Sequence, residues 1–452
     1  MKNDIGLFIA GSIMMLTPSC LGGGDVNNLT EVKDAQISSL VLSHDSITGL
    51  SNVKFTIDQV NGFIFNNDSL PYGTKINKVT CALTYVTGVN GVGVVQDAIG
   101  GDSTIWWNGT DSLDFSQPVR FTPTAYDGVT TKTYKAWVNI HQIIPGLMVW
   151  ERFAAPVTGI SADERKVVSY TLVTGDREKV YLMYSRVGKD SYLHYSAVND
   201  AKNWSALPLT GLPETADLTQ ITPYEDTLYV HSDGSLYQSA DGSNWTKVEQ
   251  TPTVGAILGV LKEGRNKPSA LAVIVESGSS RLFAGMNRDK QWTEGSAVPD
   301  NFPQSGFGSL SYYRVSSEYL TLVGGKDNEG RLLNTTWTTG DALSWALLSG
   351  EQDSFFEKKA GAMLTLYDDK LYLMGGINAE GRASKDIHVS IDSGVTWSVA
   401  DSLKAFPDEY AARGYASVEV DDNKYMLIFG GKTTNGTKTL DELWRGRINL
   451  LK

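Results

Sequence analysis

Cysteine, positive charge and helical periodicity are all scarce in this chain of 452 residues. Only Cys20 and Cys81 are present, so a framework of several disulfides is excluded. The formal net charge of −12 repels a polyanion, which argues against nucleic acid as a partner. No segment keeps apolar residues at positions i, i+3, i+4 and i+7 for more than about two turns, so a helical fold is excluded as well.

Glycine and aromatic residues, in contrast, are abundant. The chain has 45 glycines and 10% aromatic residues, and it is rich in Val and Thr. β-Branched and aromatic residues favour strands, and glycine allows the tight turns between them. The length exceeds what one compact core usually accommodates and suits two domains. We therefore predict an all-β protein with two domains.

The first twenty residues have the layout of a signal peptide. Lys2 provides a positive charge, and the apolar stretch Ile5–Leu16 is too short to span a bilayer. The small residue before Cys20 makes the end of this segment resemble the bacterial lipobox, although the large aliphatic residue lies four positions before the cysteine instead of three. The resemblance implies removal of residues 1–19 and acylation of Cys20, with 20–34 as a flexible tether. The alternative is an ordinary secretory peptide with an unmodified cysteine.

Residues 35–144 are predicted to form a β-sandwich. Short alternating stretches separated by turn residues occur at Ile37–Leu42, Val53–Ile57, Lys78–Tyr85, Val119–Ala125 and Thr133–Ile140. Cys81 lies in one of them and is interpreted as a buried, inert strand thiol. Asp127-Gly128 between the last two stretches predicts a hairpin, since glycine supplies the positive φ of the turn. The stretch 114–138 resembles the immunoglobulin-like domains at the start of many Bacteroidetes lipoproteins, which implies that fold here.

Residues 145–452 are repetitive. Three apolar stretches each end in a glycine pair, and a further glycine stands five residues after each pair; the pairs are Gly324-Gly325, Gly375-Gly376 and Gly430-Gly431, and the later glycines are Gly330, Gly381 and Gly436. These offsets resemble kelch repeats, in which the glycine pair ends the second strand of a four-stranded blade. The resemblance implies a β-propeller.

A second marker interleaves with the glycine pairs. A Trp follows a polar turn about every 40–55 residues, a spacing typical of propeller blades, at Trp204, Trp245, Trp292, Trp345 and Trp397. The segment Ser390–Trp397 fits the Asp-box pattern S-x-D-x-G-x-T-W, and Ser239–Trp245 is a shorter relative. The Asp is predicted to hold the turn between the third and fourth strands by accepting backbone N–H bonds, while the Trp packs between blades.

The strand count predicts how the propeller closes. Six second strands are recognisable, and the last blade lacks a fourth strand, whereas the Trp-bearing stretch 147–153 at the start of the domain lacks a blade. We predict that 147–153 pairs with 443–450, since an open ring would leave exposed sheet edges. The prediction is a six-bladed kelch-like propeller closed by pairing of its two terminal strands, with seven blades as the alternative.

Known enzymes of this architecture need residues that can be searched for. Copper oxidases resembling galactose oxidase need a Tyr–Cys crosslink, and the propeller contains no Cys. Sialidases need three arginines, for which Arg165, Arg314 and Arg413 are candidates, but their Arg-Ile-Pro signature is absent. Paired carboxylates of a glycosidase are not singled out by any pattern. We therefore favour a protein without catalytic residues.

No cofactor and no metal site are predicted. The acidic clusters Asp327–Glu329 and Asp421–Asn423 lie where turns between strands belong, and calcium needs six or more oxygen ligands at fixed offsets. The candidate ligand-binding residues lie instead in the loops after the glycine pairs, on one rim of the propeller: Lys326, Arg331, Asn378, Arg382 and Lys432.

Two adjacent tryptophans in the first domain are further binding candidates. Neighbours on a strand face opposite sides, so one of Trp106 and Trp107 can lie in the core while the other is exposed and free to stack on a sugar ring. The interpretation that we favour, however, is that both are covered by the sandwich and its interface with the propeller.

The complete layout resembles a Bacteroidetes lipoprotein family without an assigned function. The resemblance implies a cell-envelope lipoprotein that is anchored by lipid, at the periplasmic or surface face of the outer membrane. We expect a non-catalytic binding or interaction module, with a glycan or another envelope protein as the partner. The alternative is a glycan-active, sialidase-like hydrolase or lyase that uses the central channel.

Overall fold

The computed structural model describes residues 32–99, 103–172, 177–263, 269–314, 317–353 and 355–450. The predicted signal peptide, the candidate lipidation site Cys20 and most of the tether lie outside these residues. The chain divides into two units, Met1–Ile144 and Pro145–Lys452. In these described residues, helix is limited to single 3₁₀ turns at Leu50–Asn52, Asp97–Ile99, Leu218–Gln220, Glu351–Asp353 and Ser402–Lys404. Within the described ranges, no helix has the length and apolar character needed to cross a membrane.

The N-terminal unit contains eight strands in two sheets. The strands are β1 (Ile37–Ser43), β2 (Phe55–Asp58), β3 (Phe63–Asn66), β4 (Thr80–Tyr85), β5 (Val89–Gln96), β6 (Ile105–Trp106), β7 (Val119–Ala125) and β8 (Tyr134–Trp137). β1 pairs with β4, and the other six form a sheet in the order β2-β3-β8-β7-β5-β6. The β3–β8 pair is parallel and the remaining pairs are antiparallel.

Both sheets contribute to one hydrophobic core. Leu40 and Leu42 of β1, Cys81 of β4 and Phe121 of β7 are all buried in it. Burial raises the pKa of the free Cys81 thiol to about 12, so the thiol stays protonated and unreactive near neutral pH. The unit is thus two sheets around a shared core; its identification with the immunoglobulin-like fold stays a prediction.

The predicted hairpin joins β7 to β8. Gly128 has a φ of 70°, and the Asp127 carboxylate accepts hydrogen bonds from the backbone N–H groups of Val129 and Thr130 at 2.9 and 2.8 Å. These two bonds fix the turn locally, which is why the sequence pattern alone is sufficient to predict it.

The C-terminal unit consists of six four-stranded antiparallel sheets. Its strands are β9 (Met148–Ala154), β10 (Glu164–Thr171), β11 (Lys179–Val187), β12 (Asp190–Ala197), β13 (Ser205–Leu207), β14 (Thr222–Tyr224), β15 (Thr227–Ser232), β16 (Ser235–Ser239), β17 (Thr246–Lys247), β18 (Thr253–Leu261), β19 (Ala270–Ser277), β20 (Ser280–Met286), β21 (Trp292–Ala297), β22 (Gly308–Arg314), β23 (Ser317–Val323), β24 (Thr336–Thr339), β25 (Ala346–Ser349), β26 (Met363–Tyr367), β27 (Lys370–Met374), β28 (Ile387–Ser390), β29 (Ser398–Val399), β30 (Ser417–Val420), β31 (Met426–Phe429) and β32 (Leu443–Ile448). Five sheets contain four consecutive strands each, from β10–β13 to β26–β29, and the sixth has the order β30-β31-β32-β9.

The first strands of the six sheets form a closed ring. Each contacts the first strand of the sheet before it and of the sheet after it, and the last contacts the first; the ring runs β10, β14, β18, β22, β26, β30. All six predicted second strands occupy the second position of their sheets. The ring of first strands therefore encloses a central channel.

The sixth sheet closes the ring with a strand from the start of the unit. β9 pairs antiparallel with β32, and Trp150 lies opposite Gly446. The predicted pairing of these two segments is confirmed. The Trp150 ring lies against Phe406 with 4.5 Å between the ring centroids and a tilt of 39° between the ring planes, and it is half-buried.

Two of the three glycine pairs, Gly324-Gly325 and Gly375-Gly376, link their sheet to the segment that leads into the next one. Both glycines of each pair have φ between 64° and 102°, and a Cβ atom on Gly375 would lie 2.4 Å from the carbonyl oxygen of Arg413 in the following sheet. The N–H of Gly376 donates to that same Arg413 carbonyl at 3.0 Å. Only glycine tolerates both this backbone conformation and this close approach.

Turns between third and fourth strands are held by aspartates. Asp392 accepts hydrogen bonds from the Thr396 N–H at 2.9 Å, the Thr396 hydroxyl at 2.6 Å and the Ser390 hydroxyl at 2.8 Å. Asp241 makes the same type of bonds with Ser239, Ser243 and Asn244. A third turn of this type, at Asp341, is not anticipated by the sequence analysis.

Candidate functional site

A polar cavity of about 490 Å³ lies at one end of the channel, where the first strands begin. We call it the mouth basin and define it by its main polar side chains: Glu164, Arg186, Thr215, Asp217, Lys326 and Lys432. Three of these side chains carry positive charge and two carry negative charge, on a protein whose net charge is −12. Among its defining residues the mouth basin thus has more positively than negatively charged side chains, although the chain as a whole is acidic.

Lys326 and Lys432 reach the mouth basin through the kelch-like turns. Each directly follows a glycine pair, and the Lys326 N–H donates to the Ser305 carbonyl at 2.8 Å while the Lys432 N–H donates to the Gly414 carbonyl at 2.7 Å. Neither ammonium group has an ion-pair partner within 4.0 Å in the described ranges. Because these bonds tie each turn to the segment before the first strand of its own sheet, both charges are available to a ligand without rearrangement of the backbone.

The other three predicted rim residues do not line the mouth basin. Arg331 is exposed and forms ion pairs with Asp327 and Glu329 of its own turn. The Asn378 side-chain oxygen accepts the N–H of Arg382, whose exposed guanidinium pairs with a glutamate of the same turn. Sequence position places all five residues on one rim, but only the residue immediately after the glycine pair points to the channel.

Two of the candidate sialidase arginines have structural partners. Arg165 donates to the Leu440 carbonyl at 2.9 Å and to Asp441 at 2.8 Å, and Arg413 donates to the Gly430 carbonyl and to Glu442. Arg413 is fully buried, whereas Arg314 is exposed at the end of β22. The three guanidinium groups are therefore not brought together around one ligand.

Gly306, Gly361 and Tyr415 lie where the mouth basin meets the interior of the channel, and we call these three residues the neck. The N–H of Gly361 donates to the Gly306 carbonyl at 2.6 Å, and the N–H of Tyr415 donates to the Gly361 carbonyl at 2.7 Å. These three residues hold equivalent positions before β22, β26 and β30, and all have positive φ, of 60°, 70° and 55°. Tyr415 thus adopts the positive-φ conformation that glycine adopts at the two equivalent positions, and its ring lies against Gly306 and Gly361. Such strain in a non-glycine residue is typical of functional positions.

Beyond the neck lies a second cavity of about 400 Å³, which we call the inner chamber and define by Lys166, Gln220, Ser309, Thr365, Ser417 and Glu419. The Ser417 hydroxyl accepts the Val167 N–H at 2.9 Å and the Ser309 hydroxyl donates to a backbone carbonyl at 2.7 Å, so both are already used by the fold. The charged groups of the inner chamber, Lys166 and Glu419, have no salt bridge within 4.0 Å in the part of the chain that the structure describes.

Burial shifts the pKa values of Glu419 and Lys166 in opposite directions. It raises the pKa of Glu419 to about 7, while the positive charge of Lys166 and a backbone hydrogen bond from Ser169 act against the increase. Burial also lowers the pKa of Lys166, against the charges of Glu419 and Asp217. A carboxyl that titrates near neutrality inside a cavity marks a candidate functional group. The sequence analysis does not identify either residue, although each is a charged residue within a first strand.

The paired tryptophans of the N-terminal unit face opposite sides of their strand. Trp107 packs on Phe121 in the core and donates from Nε1 to the Asp111 carbonyl at 3.0 Å. Trp106 is 72% exposed, and its ring lies on Gly91, where a Cβ atom would come within 2.7 Å. Of the two candidates, only Trp106 has a face that a ligand can reach in the structure.

The two acidic clusters stabilise the turns in which they lie. The Asp327 carboxylate accepts the N–H groups of Glu329 and Arg331, and Asp421 accepts the N–H of Tyr425. Among the residues with described coordinates, no group of three or more His, Cys, Asp and Glu side chains is placed to hold a metal ion.

Two family models match this chain. The DUF6242 β-propeller domain matches residues 145–452, and the N-terminal domain of DUF6242, a domain of unknown function, matches residues 26–138. Together they account for both units.

Individual similar proteins are more distant. An F-box/kelch-repeat protein of Arabidopsis thaliana is 28% identical over 158 residues, which are 32% of this chain and 32% of the relative. The chain therefore spans about a third of the length of that protein. The solved structure of YjhT is 15% identical, with a TM-score of 0.44, and the match covers 64% of this chain and 96% of YjhT. The family model describes the C-terminal unit as a β-propeller, and the kelch-repeat relative is consistent with a propeller of the kelch-like type.

Proposed function

Because this chain belongs to the DUF6242 family, with its C-terminal β-propeller domain, we propose that it is a non-catalytic cell-envelope lipoprotein whose propeller binds a glycan or an envelope protein at the mouth basin. Kelch-like propellers suggest interaction modules, and propeller ligands usually bind on a loop rim. The finer parts of the proposal are a six-bladed propeller, supported by six four-stranded sheets around a closed ring, and an immunoglobulin-like N-terminal domain.

The observation that carries the proposal is the pair of lysines above the channel. Lys326 and Lys432 come from two different sheets and project into one cavity, where neither has an ion-pair partner in the described ranges. Charges that serve only solubility are normally spread over the surface and solvated. Two such cations on rigid turns around a concave, polar cavity instead suit the recognition of a ligand with negative or hydrogen-bond-accepting groups.

The test is a binding screen of the purified protein against a glycan panel and against purified envelope proteins. The double variant Lys326→Ala/Lys432→Ala is expected to lose at least about tenfold in affinity for any ligand found, since each charged contact contributes on the order of 1 kcal/mol or more. The matched control Arg331→Ala/Arg382→Ala removes two rim cations outside the mouth basin and is expected to bind normally. Equal binding by the lysine variant, or loss only in the arginine control, would place the site elsewhere.

The lipid anchor is a separate part of the proposal. Cys20 follows an apolar segment that is too short to span a bilayer, and three acyl chains would hold the protein firmly on a membrane. Cys20→Ala is therefore expected to leave the signal peptide uncleaved or to release the protein from the membrane fraction. Unchanged processing and membrane retention of the variant would refute lipidation, and Cys81→Ala serves as the control.

A second candidate function is catalysis by a glycan hydrolase or lyase. It is favoured by one observation, a carboxyl group with a pKa of about 7 opposite a lysine in the inner chamber, because such groups suit general acid–base chemistry at neutral pH. Incubation with the same glycan panel, followed by analysis of released products, distinguishes catalysis from binding. Product release that disappears in Glu419→Gln would support this candidate over the first.

A further inference from the structure

We infer that the ligand of the propeller is an acidic sugar of the uronic-acid class, whose carboxylate passes the neck to Lys166 in the inner chamber and whose binding adds a proton to Glu419. The inference rests on the proposed function, since it assigns a ligand class to the same channel. The site that selects the carboxylate, however, is the inner chamber, whereas the two lysines of the mouth basin contact only the sugar hydroxyls.

The first step is the charge of the inner chamber. Lys166 on β10 and Glu419 on β30 line one cavity, each lies in the electrostatic field of the other, and the third charged lining residue, Arg165, is bonded to Asp441. Lys166 is thus the cation with capacity for a ligand. Lys166 is half-buried, and a partly desolvated ammonium group attracts a carboxylate more strongly than a fully exposed one does, so a ligand carboxylate gains more there than at the surface.

The second step concerns the competition between that carboxylate and Glu419. Two carboxylates sharing one lysine repel each other, and this repulsion is relieved when Glu419 takes up a proton and donates a hydrogen bond. The charged groups that act on Glu419 are Lys166 on the adjacent first strand and Lys179 on β11, while Asp217 acts on Lys166 from the mouth side. Both lysines favour the ionised form of Glu419 in the empty channel. An added anion reverses this balance.

The direction of the pH dependence follows from these charges. The pKa of Glu419 is about 7 without ligand, and an anion beside it raises the pKa further. An anion also raises the pKa of Lys166. Binding is therefore linked to proton uptake, so affinity is highest below the free-protein pKa of Glu419 and falls as pH rises through it.

The third step favours a sugar over an acidic peptide. Glu164 and Asp217 stand in the mouth basin beside the lysines and would repel a ligand with a carboxylate on every unit, whether an acidic peptide or a polyuronate, so the ligand that fits is an otherwise neutral sugar chain with a single uronic acid at its end. Sugar hydroxyls can donate to these carboxylates and accept from Lys326 and Lys432. The Tyr415 ring at the neck adds an apolar face on which a sugar ring can stack.

The experiment measures binding of neutral oligosaccharides that end in a single galacturonate, glucuronate, mannuronate or guluronate residue, each against its carboxyl-reduced counterpart. At least one acidic form is expected to bind, with little affinity for the reduced form. Its affinity is expected to be about tenfold higher near pH 6 than near pH 8, because the protonated fraction of a group with a pKa of about 7 changes by that factor. Glu419→Gln is expected to abolish this pH dependence, and Lys166→Met is expected to weaken binding at every pH.

Circular dichroism establishes that both variants are folded, and Glu409→Gln, an exposed acid before β30, is the matched control. Binding to none of the acidic sugars, equal binding of acidic and reduced forms, or a pH dependence that persists in Glu419→Gln would overturn the inference. A neutral glycan or a peptide that binds, needs Lys326 and Lys432, and ignores both inner-chamber variants would overturn it while leaving the proposed function intact.

Discussion

At the scale of single residues, Tyr415 places an aromatic side chain at a position where the backbone conformation favours glycine. Its φ of 55° is costly for any residue with a Cβ atom, and the equivalent positions in the two preceding sheets are Gly306 and Gly361. The local backbone therefore favours glycine at all three positions. The aromatic ring at the neck is retained despite this preference, which points to a role for the ring in the channel.

The strain can be measured by comparing two variants that both remove the ring. Tyr415→Gly is expected to be more stable than Tyr415→Ala by about 1 kcal/mol, because only alanine keeps the penalty of a positive φ. Urea unfolding followed by fluorescence gives both free energies. At the neighbouring Ala416, which has no positive φ, the change to glycine is expected to destabilise by about 0.5–1 kcal/mol. Equal stability of the two Tyr415 variants would show that the position is not strained.

Site residues are predictable from the sequence only where a local motif fixes them. Lys326 and Lys432 could be predicted, because a glycine pair with a known turn geometry precedes each of them. Lys166, Glu419 and Tyr415 could not, because they meet only when separate first strands assemble into the ring. Nothing within a few residues of Glu419 indicates that a lysine some 250 positions earlier faces the same cavity.

At the scale of secondary-structure elements, the aspartate turns act as local clamps. Removing the Asp392 carboxylate leaves the Thr396 N–H and the Thr396 and Ser390 hydroxyls without their acceptor. Asp392→Ala is expected to lower the free energy of unfolding by about 1–3 kcal/mol. Asp422→Ala is the control, since Asp422 lies in a turn of the next sheet and accepts no hydrogen bond from any residue with described coordinates. A similar loss in both variants would contradict a specific role of the clamp.

The same clamps explain which strands the sequence analysis locates and which it misses. Strands bounded by Gly pairs, Asp turns or Trp residues, such as β27 and β28, are recognised because their turns have fixed chemistry. In the N-terminal unit, β3, β5 and β6 are missed. β5 contains Gly91 and Gly93, and glycine weakens the strand signal of a sequence. Both glycines serve packing, since the Trp106 ring and the Thr104 methyl group occupy the space that a Cβ atom would fill.

At the scale of the whole molecule, closure of the ring depends on one contact between distant segments. A Cβ atom on Gly446 of β32 would lie 2.3 Å from the ring of Trp150 on β9. Gly446→Val is therefore expected to destabilise the propeller by about 1–3 kcal/mol through overpacking.

A double-mutant cycle tests whether this penalty arises at the closing contact. In the Trp150→Ala background the ring is absent, so Gly446→Val is expected to cost less by about 1 kcal/mol or more. The four unfolding free energies are obtained from urea titrations of the full chain. Additive effects of the two substitutions would mean that the valine disturbs something other than the contact between β9 and β32.

The pairing of β9 with β32 also has a consequence for the order of events during biosynthesis. Five of the six sheets are complete as soon as four consecutive strands have been made, but Glu151 must wait for Arg445, its partner 294 residues later. Until then β9 has an open edge and the sixth sheet lacks its fourth strand. A nascent propeller therefore carries two unpaired strand edges that proteases or other chains can reach, and it loses both in a single late step.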